Sequence, residues 1–345
     1  MKIVADRDIP FLEGVFEPYA DVIYLKGDQI TKEDLSDADV LMTRTRTRCD
    51  GNLLEGTSVR MIATATIGMD HIDLDFCRNK GIRVENAAGC NSGAVMQYVF
   101  SALYGVSARK GIKIDDCNFG IVGVGHVGSK VEAMARYLGF NVLLCDPPRA
   151  AVEGPEKFCS LEYLLENSDI VTMHVPLDET TRGMADATFF ALMKPGAIFI
   201  NAARGEVIDE QALIAAAPKL GAVVIDTWCN EPDINEELLD IADIATPHIA
   251  GYSLLGKQNA TTMAVQEVAR FFGISELYDF KPQDADSSHE PVLLDLKGKN
   301  HGEIAAVFQY NYPIFTDDFR LRMEPHKFDK LRTEYQYRRD IYYIE

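Results

Sequence analysis

Short runs of β-branched and aliphatic residues recur along the chain. Between them lie stretches whose apolar residues return every three or four positions. The runs at residues 2–5, 22–25, 40–43, 60–64 and 82–85 predict five strands in a first block that ends near residue 93. A second set, at 117–122, 142–145, 170–175, 197–201 and 222–226, predicts a second block. The long, mainly apolar helix expected near 95–109 reads as a bridge between the blocks, and the helical pattern at 254–272 as a crossing back to the first. Strands that alternate with helices, and are apolar on both faces, belong to parallel sheets covered on both sides. The expected fold class is therefore α/β with two doubly wound parallel-sheet lobes. After Asp279 the pattern breaks. Residues 281–288 are polar and turn-rich, as a linker would be, and the tail beyond holds six of the fourteen tyrosines.

Composition narrows the function. Lys and Arg number 34 against 53 Asp and Glu, a formal net charge of −19. So acidic a body repels phosphate backbones and anionic lipid, which argues against nucleic-acid and membrane partners. No apolar run has the length of a membrane span, and charge enters too early at the N-terminus for a signal peptide. The seven cysteines are scattered without a C-x-x-C pair, as expected of reduced thiols in the cytoplasm. The histidines form no H-E-x-x-H or Cys/His cluster, so no metal site is expected.

The first chemistry-bearing motif is Gly123-Val124-Gly125-His126-Val127-Gly128, a G-x-G-x-x-G after a predicted strand and opening a helix. Such a loop allows a tight turn, close approach of backbone amides to a pyrophosphate, and close helix–strand packing. Asp146 ends the next strand. A carboxylate there accepts hydrogen bonds from the adenosine ribose and repels a 2′-phosphate, so NAD is favoured over NADP, with Arg149 the one nearby cation that would favour NADP.

Three polar residues then follow successive predicted strands at 197–201, 222–226 and 244–246: Arg204, Glu231 and His248. Singly they read as a surface ion pair, a loop charge and a core histidine. Together, downstream of a nucleotide loop, they match the needs of 2-hydroxy acid oxidation. Histidine takes a hydroxyl proton near neutral pH, a carboxylate orients the ring, and a guanidinium grips the substrate carboxylate. The ordered set Gly123…Gly128, Asp146, His174-Val175-Pro176-Leu177, Arg204, Asp226…Glu231-Pro232 and His248 resembles the D-2-hydroxyacid dehydrogenase family, over roughly residues 1–275. The resemblance implies His248 as acid/base, Glu231 as its partner and Arg204 as the substrate-orienting residue. It implies cofactor contacts from Gly123, Gly125, His126, Val127, Gly128, Asp146, Val175, Ala202, Ala203, Asp226 and Gly251, and an active site in a cleft between the lobes. The implied organisation is a flavodoxin-like substrate lobe at 1–93 with 255–280 and a Rossmann NAD lobe at 94–254. A small α+β dimerisation module at 281–345 would make the protein a homodimer.

Substrate choice rests on Arg44-Thr45-Arg46-Thr47-Arg48. If that run is extended, all three arginines face one way and form a local positive site in an acidic protein. The expected substrate is a small phosphorylated 2-hydroxy acid. Arg44 is the cation assigned to it, and Thr45, Thr66 and Tyr252 are contacts the resemblance implies. Arg338 and Arg339 are expected to reach a neighbouring active site. Two other readings stay open: a dehydrogenase of 3-phosphoglycerate or another hydroxy acid, and, from a different class, an NAD-sensing corepressor that turns over little substrate.

Overall fold

The computed structural model describes residues 1–282 and 290–343. Residues 283–289, most of the expected linker, lie outside it. The chain divides into two compact units, Met1–Asn91 with Ser253–Glu290, and Ser92–Tyr252 with Pro291–Glu345.

In the first unit, β1 (Lys2–Asp6), β2 (Asp21–Leu25), β3 (Val40–Thr43), β4 (Met61–Thr64) and β5 (Arg83–Asn86) form one parallel sheet in the order β2-β1-β3-β4-β5. This is the flavodoxin-like order. Side chains alternate between two cores. Ile3, Ala5, Val40, Met42, Met61 and Ala63 enter one, while Val4, Leu41 and Ile62 enter the other. The helix Leu254–Phe272, capped by the Ser253 hydroxyl, covers the first of these faces through Ala264, Val265 and Val268.

The second unit holds β6 (Asn118–Val122), β7 (Asn141–Cys145), β8 (Ile170–Met173), β9 (Ile198–Asn201), β10 (Ala222–Ile225) and β11 (Ile244–Ala245), all parallel, in the order β11-β10-β9-β8-β6-β7. The chain winds from β6 to β7 on one side and resumes with β8 on the other, which opens a crevice at the carboxyl end of β6. Where a further strand would flank β7, Cys159 makes one backbone bond to the Leu144 carbonyl (2.8 Å).

The helix Ser92–Lys110 is buried around most of its circumference, because the sheet packs on one side and the C-terminal tail on the other. Such a helix needs no polar stripe, hence its mainly apolar sequence. Phe308 of the tail stacks on Phe100 and Tyr104, and the Gln309 side chain donates to the Ser101 carbonyl. The tail comprises β12 (Val292–Leu294) paired in parallel with β13 (Ile341–Tyr343), and the helices His301–Asn311, Ile314–Met323 and Phe328–Thr333. Set apart by its sequence, it groups with the second unit in the fold and supplies Leu294, Ile304, Phe308, Ile314 and Ile341 to that unit's core.

The tail also satisfies polar groups that the sheet leaves open. At edge strand β11, the Ala245 N–H donates to Asp318 (2.8 Å). Arg322 bonds the same carboxylate and the carbonyls of Leu239 and Ala242. Arg338 is buried, with its guanidinium donating to the carbonyls of Ala94, Ile249, Ala250 and Tyr252 and stacked 4.4 Å over the Tyr312 ring. It thus serves its own chain, in place of the neighbour-reaching role expected for it. Arg339 is exposed.

Replacing Arg338 with methionine strands three buried carbonyls and one partly buried one, that of Tyr252. Each unpaired acceptor costs about 1–3 kcal/mol, so we expect a loss of roughly 3–5 kcal/mol in urea unfolding. A loss below about 1 kcal/mol would show that the guanidinium does not hold this turn.

Candidate active site

Each strand of the second sheet ends on a residue singled out by its chemistry. Gly123–Gly128 follow β6, Asp146 follows β7, Val175 follows β8, and Ala202-Ala203-Arg204 follow β9. Asp226 and Glu231 follow β10, while His248, Gly251 and Tyr252 follow β11.

The helix His126–Tyr137 starts at Gly125 without a side-chain cap, leaving its first N–H groups to a ligand. A Cβ at Gly125 would meet nothing, whereas one at Gly128 would lie 2.1 Å from the Gly123 carbonyl oxygen. The loop is therefore packed tightly from below and open above, as a pyrophosphate requires. Asp146 accepts from the N–H of Val124 (2.7 Å) and of Arg149 (3.0 Å), which fixes its carboxylate beside the loop. Arg149 pairs with Glu153 (2.6 and 2.8 Å) and donates to the Val124 carbonyl, so its charge is already engaged. A groove of about 540 Å³ lies beside Asp146, walled by Pro147, Ala150, Phe158 and Leu161. The residues present fit an adenosine-bearing NAD.

At the other side of the sheet, His248 Nδ1 lies 2.8 Å from Glu231 Oε2 and 3.0 Å from Oε1. Glu231 is further held by the Trp228 N–H (3.0 Å). Burial pushes the Glu231 carboxyl up, but the His248 hydrogen bond and charge, the Trp228 N–H and the Arg332 charge together outweigh it and hold it below the usual range. Arg204 enters through packing: a Cβ on Gly205 would lie 2.0 Å from the Trp228 carbonyl carbon, so the 204–205 backbone abuts the segment that carries Glu231. Asn201 closes the same turn by donating to the Arg204 carbonyl (3.0 Å) and the Thr227 hydroxyl (3.1 Å).

His248 has φ +55°, in the left-handed region. Its N–H donates to the Asp226 carbonyl (2.8 Å), and the next two N–H groups, of Ile249 and Ala250, donate to the Asp226 carboxylate. Thr246 donates its hydroxyl to the same carboxylate and shares a 2.7 Å contact with the Tyr98 hydroxyl. Asp226 is 1% exposed. Its burial raises its pKa against the opposing charge of His248 and the bonds from Thr246, Ala250 and Ile249. What the fold displays of Asp226 is its shaping of the His248 turn.

The phosphate-directed residues lie in the first unit, after adjacent strands: Arg44 and Thr45 after β3, Thr66 after β4. Thr66 shares a 2.6 Å hydroxyl contact with Thr64. The extended arginine run is not what forms. β3 stops at Thr43, and residues 44–47 turn back, because the buried Thr47 hydroxyl bonds the Gly27 carbonyl (2.9 Å) and Cys49 bridges to Ile72. The three arginines therefore do not share a face. Arg44 donates to the Asp8 carbonyl (2.8 Å), and Arg48 pairs with Asp50 (3.1 Å).

Sequence reading missed two participants. Arg332 lies 3.5 Å from Glu231, and Tyr98 supports the Asp226–Thr246 pair. Neither carries a local motif; both reach the site only by long-range packing.

Residues 98–250 match the model for the D-isomer specific 2-hydroxyacid dehydrogenase NAD binding domain. An erythronate-4-phosphate dehydrogenase of Bacteroides fragilis is 44% identical, with 99% of this chain and 97% of the relative covered. One of Yersinia enterocolitica is 39% identical over 99% of this chain and 93% of its own length. The NAD⁺-bound 3-phosphoglycerate dehydrogenase structure from Entamoeba histolytica superposes with a TM-score of 0.67 at 26% identity, covering 82% of this chain and 99% of that one. With a near full-length relative at 44% identity, the chain belongs to the erythronate-4-phosphate dehydrogenase family of D-isomer-specific 2-hydroxyacid dehydrogenases.

Proposed function

We propose that this chain oxidises 4-phospho-D-erythronate to (R)-3-hydroxy-2-oxo-4-phosphooxybutanoate with NAD, a step of pyridoxal 5′-phosphate biosynthesis in the cytoplasm. The observation that carries the reading is the His248–Glu231 pair, set 2.8 Å apart at the ends of neighbouring parallel strands in the unit that holds the nucleotide loop. NAD, when bound, supplies the two-electron acceptor for the substrate's C2.

The residues divide the remaining work. Glu231 takes Nδ1 of His248, which leaves Nε2 to receive the C2 hydroxyl proton. The Arg204 guanidinium suits the substrate carboxylate, where a forked donor both binds and orients. Gly123–Gly128 and the helix start hold the pyrophosphate, and Asp146 the ribose. Val175, Ala202, Ala203 and Gly251 line the same carboxyl-terminal edge, while Asp226 acts through the His248 turn. Arg44, Thr45, Thr66 and Tyr252 take the phosphorylated end of the substrate; the arginine charge is what selects a phosphate over a neutral hydroxymethyl group.

The same reading makes the protein a homodimer through its C-terminal segment. Leu293 and Tyr342 face each other across the β12–β13 pair and are 63% and 51% exposed. Phe319 and Met323, one turn apart on a helix, are each 62% exposed. Large apolar side chains left in water on both elements are what a second copy would cover.

Three measurements test these roles. With NAD and 4-phosphoerythronate the protein should form NADH at 340 nm, and His248→Asn should lower turnover by roughly 10²–10⁴-fold; undiminished turnover removes His248 from the chemistry. Preference for 3-phosphoglycerate in the same assay would replace the substrate, and peptide binding with little turnover would favour a corepressor. Arg44→Ala should raise KM for the phosphorylated acid much more than for unphosphorylated erythronate, and equal effects would withdraw the phosphate assignment. The double variants F319D/M323D and L293D/Y342D should sediment as monomers, whereas dimers in both would place the interface elsewhere.

A further inference from the structure

The C-terminal tail delivers a guanidinium to the acid–base pair. Arg332, on the helix Phe328–Thr333, has Nη1 3.5 Å from Glu231 Oε2, the oxygen that also lies nearest His248 Nδ1. Its guanidinium packs over the Phe328 ring (5.9 Å to the centroid), so the stem is braced. Its Nε is buried with no hydrogen-bond partner among the described residues, and the charged groups that act on the guanidinium are Tyr252, which also hydrogen-bonds it, Glu231 and Asp226. Charged and titratable groups around the cluster are few: Glu231 meets His248 and Arg332, His248 meets Glu231 and Asp226, and Arg332 meets Glu231, Asp226 and Tyr252.

We propose that Arg332 is a positioning residue for the reaction. It holds the Glu231 carboxylate at Oε2, while the Trp228 N–H holds Oε1, and takes up part of its charge, so that His248 stays available as a base. The inference rests on the acid–base reading of His248 and Glu231 given above.

The physics is a three-body competition. A carboxylate beside a lone imidazole favours the imidazolium, which cannot accept a proton from the substrate hydroxyl. A permanent cation on the same oxygen weakens that preference without removing the hydrogen bond that orients the ring. Arginine suits the task because it never deprotonates and its planar fork keeps a fixed aim.

The test is the pH profile of kcat/KM for NAD-linked oxidation of 4-phosphoerythronate by the full-length enzyme. In R332Q the acid limb should move to higher pH, by up to about one unit, since a cation near an imidazole disfavours the imidazolium and its removal relaxes that effect. R332K, which keeps the charge, should hold the limb near its wild-type position while lowering kcat. An R332Q limb that coincides with wild type overturns the proposal, even if activity falls, because loss of packing alone would lower rates without moving the limb. Should R332Q fail to fold, E231Q is compared with E231Q/R332Q. Equal rates and equal limbs support coupling through Glu231, while a further loss greater than about threefold overturns it. Undiminished turnover in His248→Asn would instead bring down the acid–base reading itself, so the two failures are distinguishable.

Discussion

His248 stands in left-handed backbone, a region that a non-glycine residue occupies at a cost of about 1 kcal/mol or more, and it does so at the end of the shortest strand of its sheet. Such a residue persists only where its surroundings over-determine it. Asp226 grips the turn by its N–H groups, with Thr246 and Tyr98 fixing Asp226 in place, and Arg338 grips the same turn by its carbonyls. An anion and a cation, both buried, each find their partners in one stretch of backbone. The Glu231–His248 distance depends on that arrangement, because the turn sets where the imidazole stands.

This explains why the tail cannot be understood as an appendage alone. It closes the open edge at β11 through Asp318, encloses the helix Ser92–Lys110, and brings Arg332 and Arg338 to bear on the turn. A protein with few internal bonds at an edge strand risks pairing with other chains there, and a carboxylate aimed at that edge removes the exposed donor. Apolar residues also remain exposed on the tail: Phe319 and Met323 on the same helix as the inward-bonding Asp318 and Arg322, and Leu293 and Tyr342 on the β12–β13 pair. One segment thus carries both the support of the chemistry and the surface proposed for self-association.

The strands and the nucleotide loop were legible because they obey local rules. β3 was anticipated to the residue, and β1, β6 and β7 within one residue at each end, since period-two alternation, β-branching and glycine spacing are written within a few positions. The arginine run failed on the same logic. Alternation from residue 44 to 48 satisfies a strand locally, yet a hydroxyl bond from Thr47 to Gly27 and the bridge from Cys49 to Ile72 turn the chain. Those partners are distant in sequence, and no pattern in the run announces them.

The net charge of −19 illustrates the same division. By itself it spoke against polyanionic partners, because long-range repulsion depends on the sum of charges and not on their placement. Where the cations act is decided by placement: Arg149 is taken up by Glu153, Arg48 by Asp50, Arg338 by carbonyls, and Arg332 stands beside Glu231. Sequence alone determined the parallel α/β architecture, the glycine loop, and the residue types at the strand ends, all properties of neighbours along the chain. Only the tertiary structure decided which of those residues meet, because a hydrogen bond or an ion pair depends on a few ångströms between atoms that the chain itself holds far apart, as it does Glu231 and Arg332.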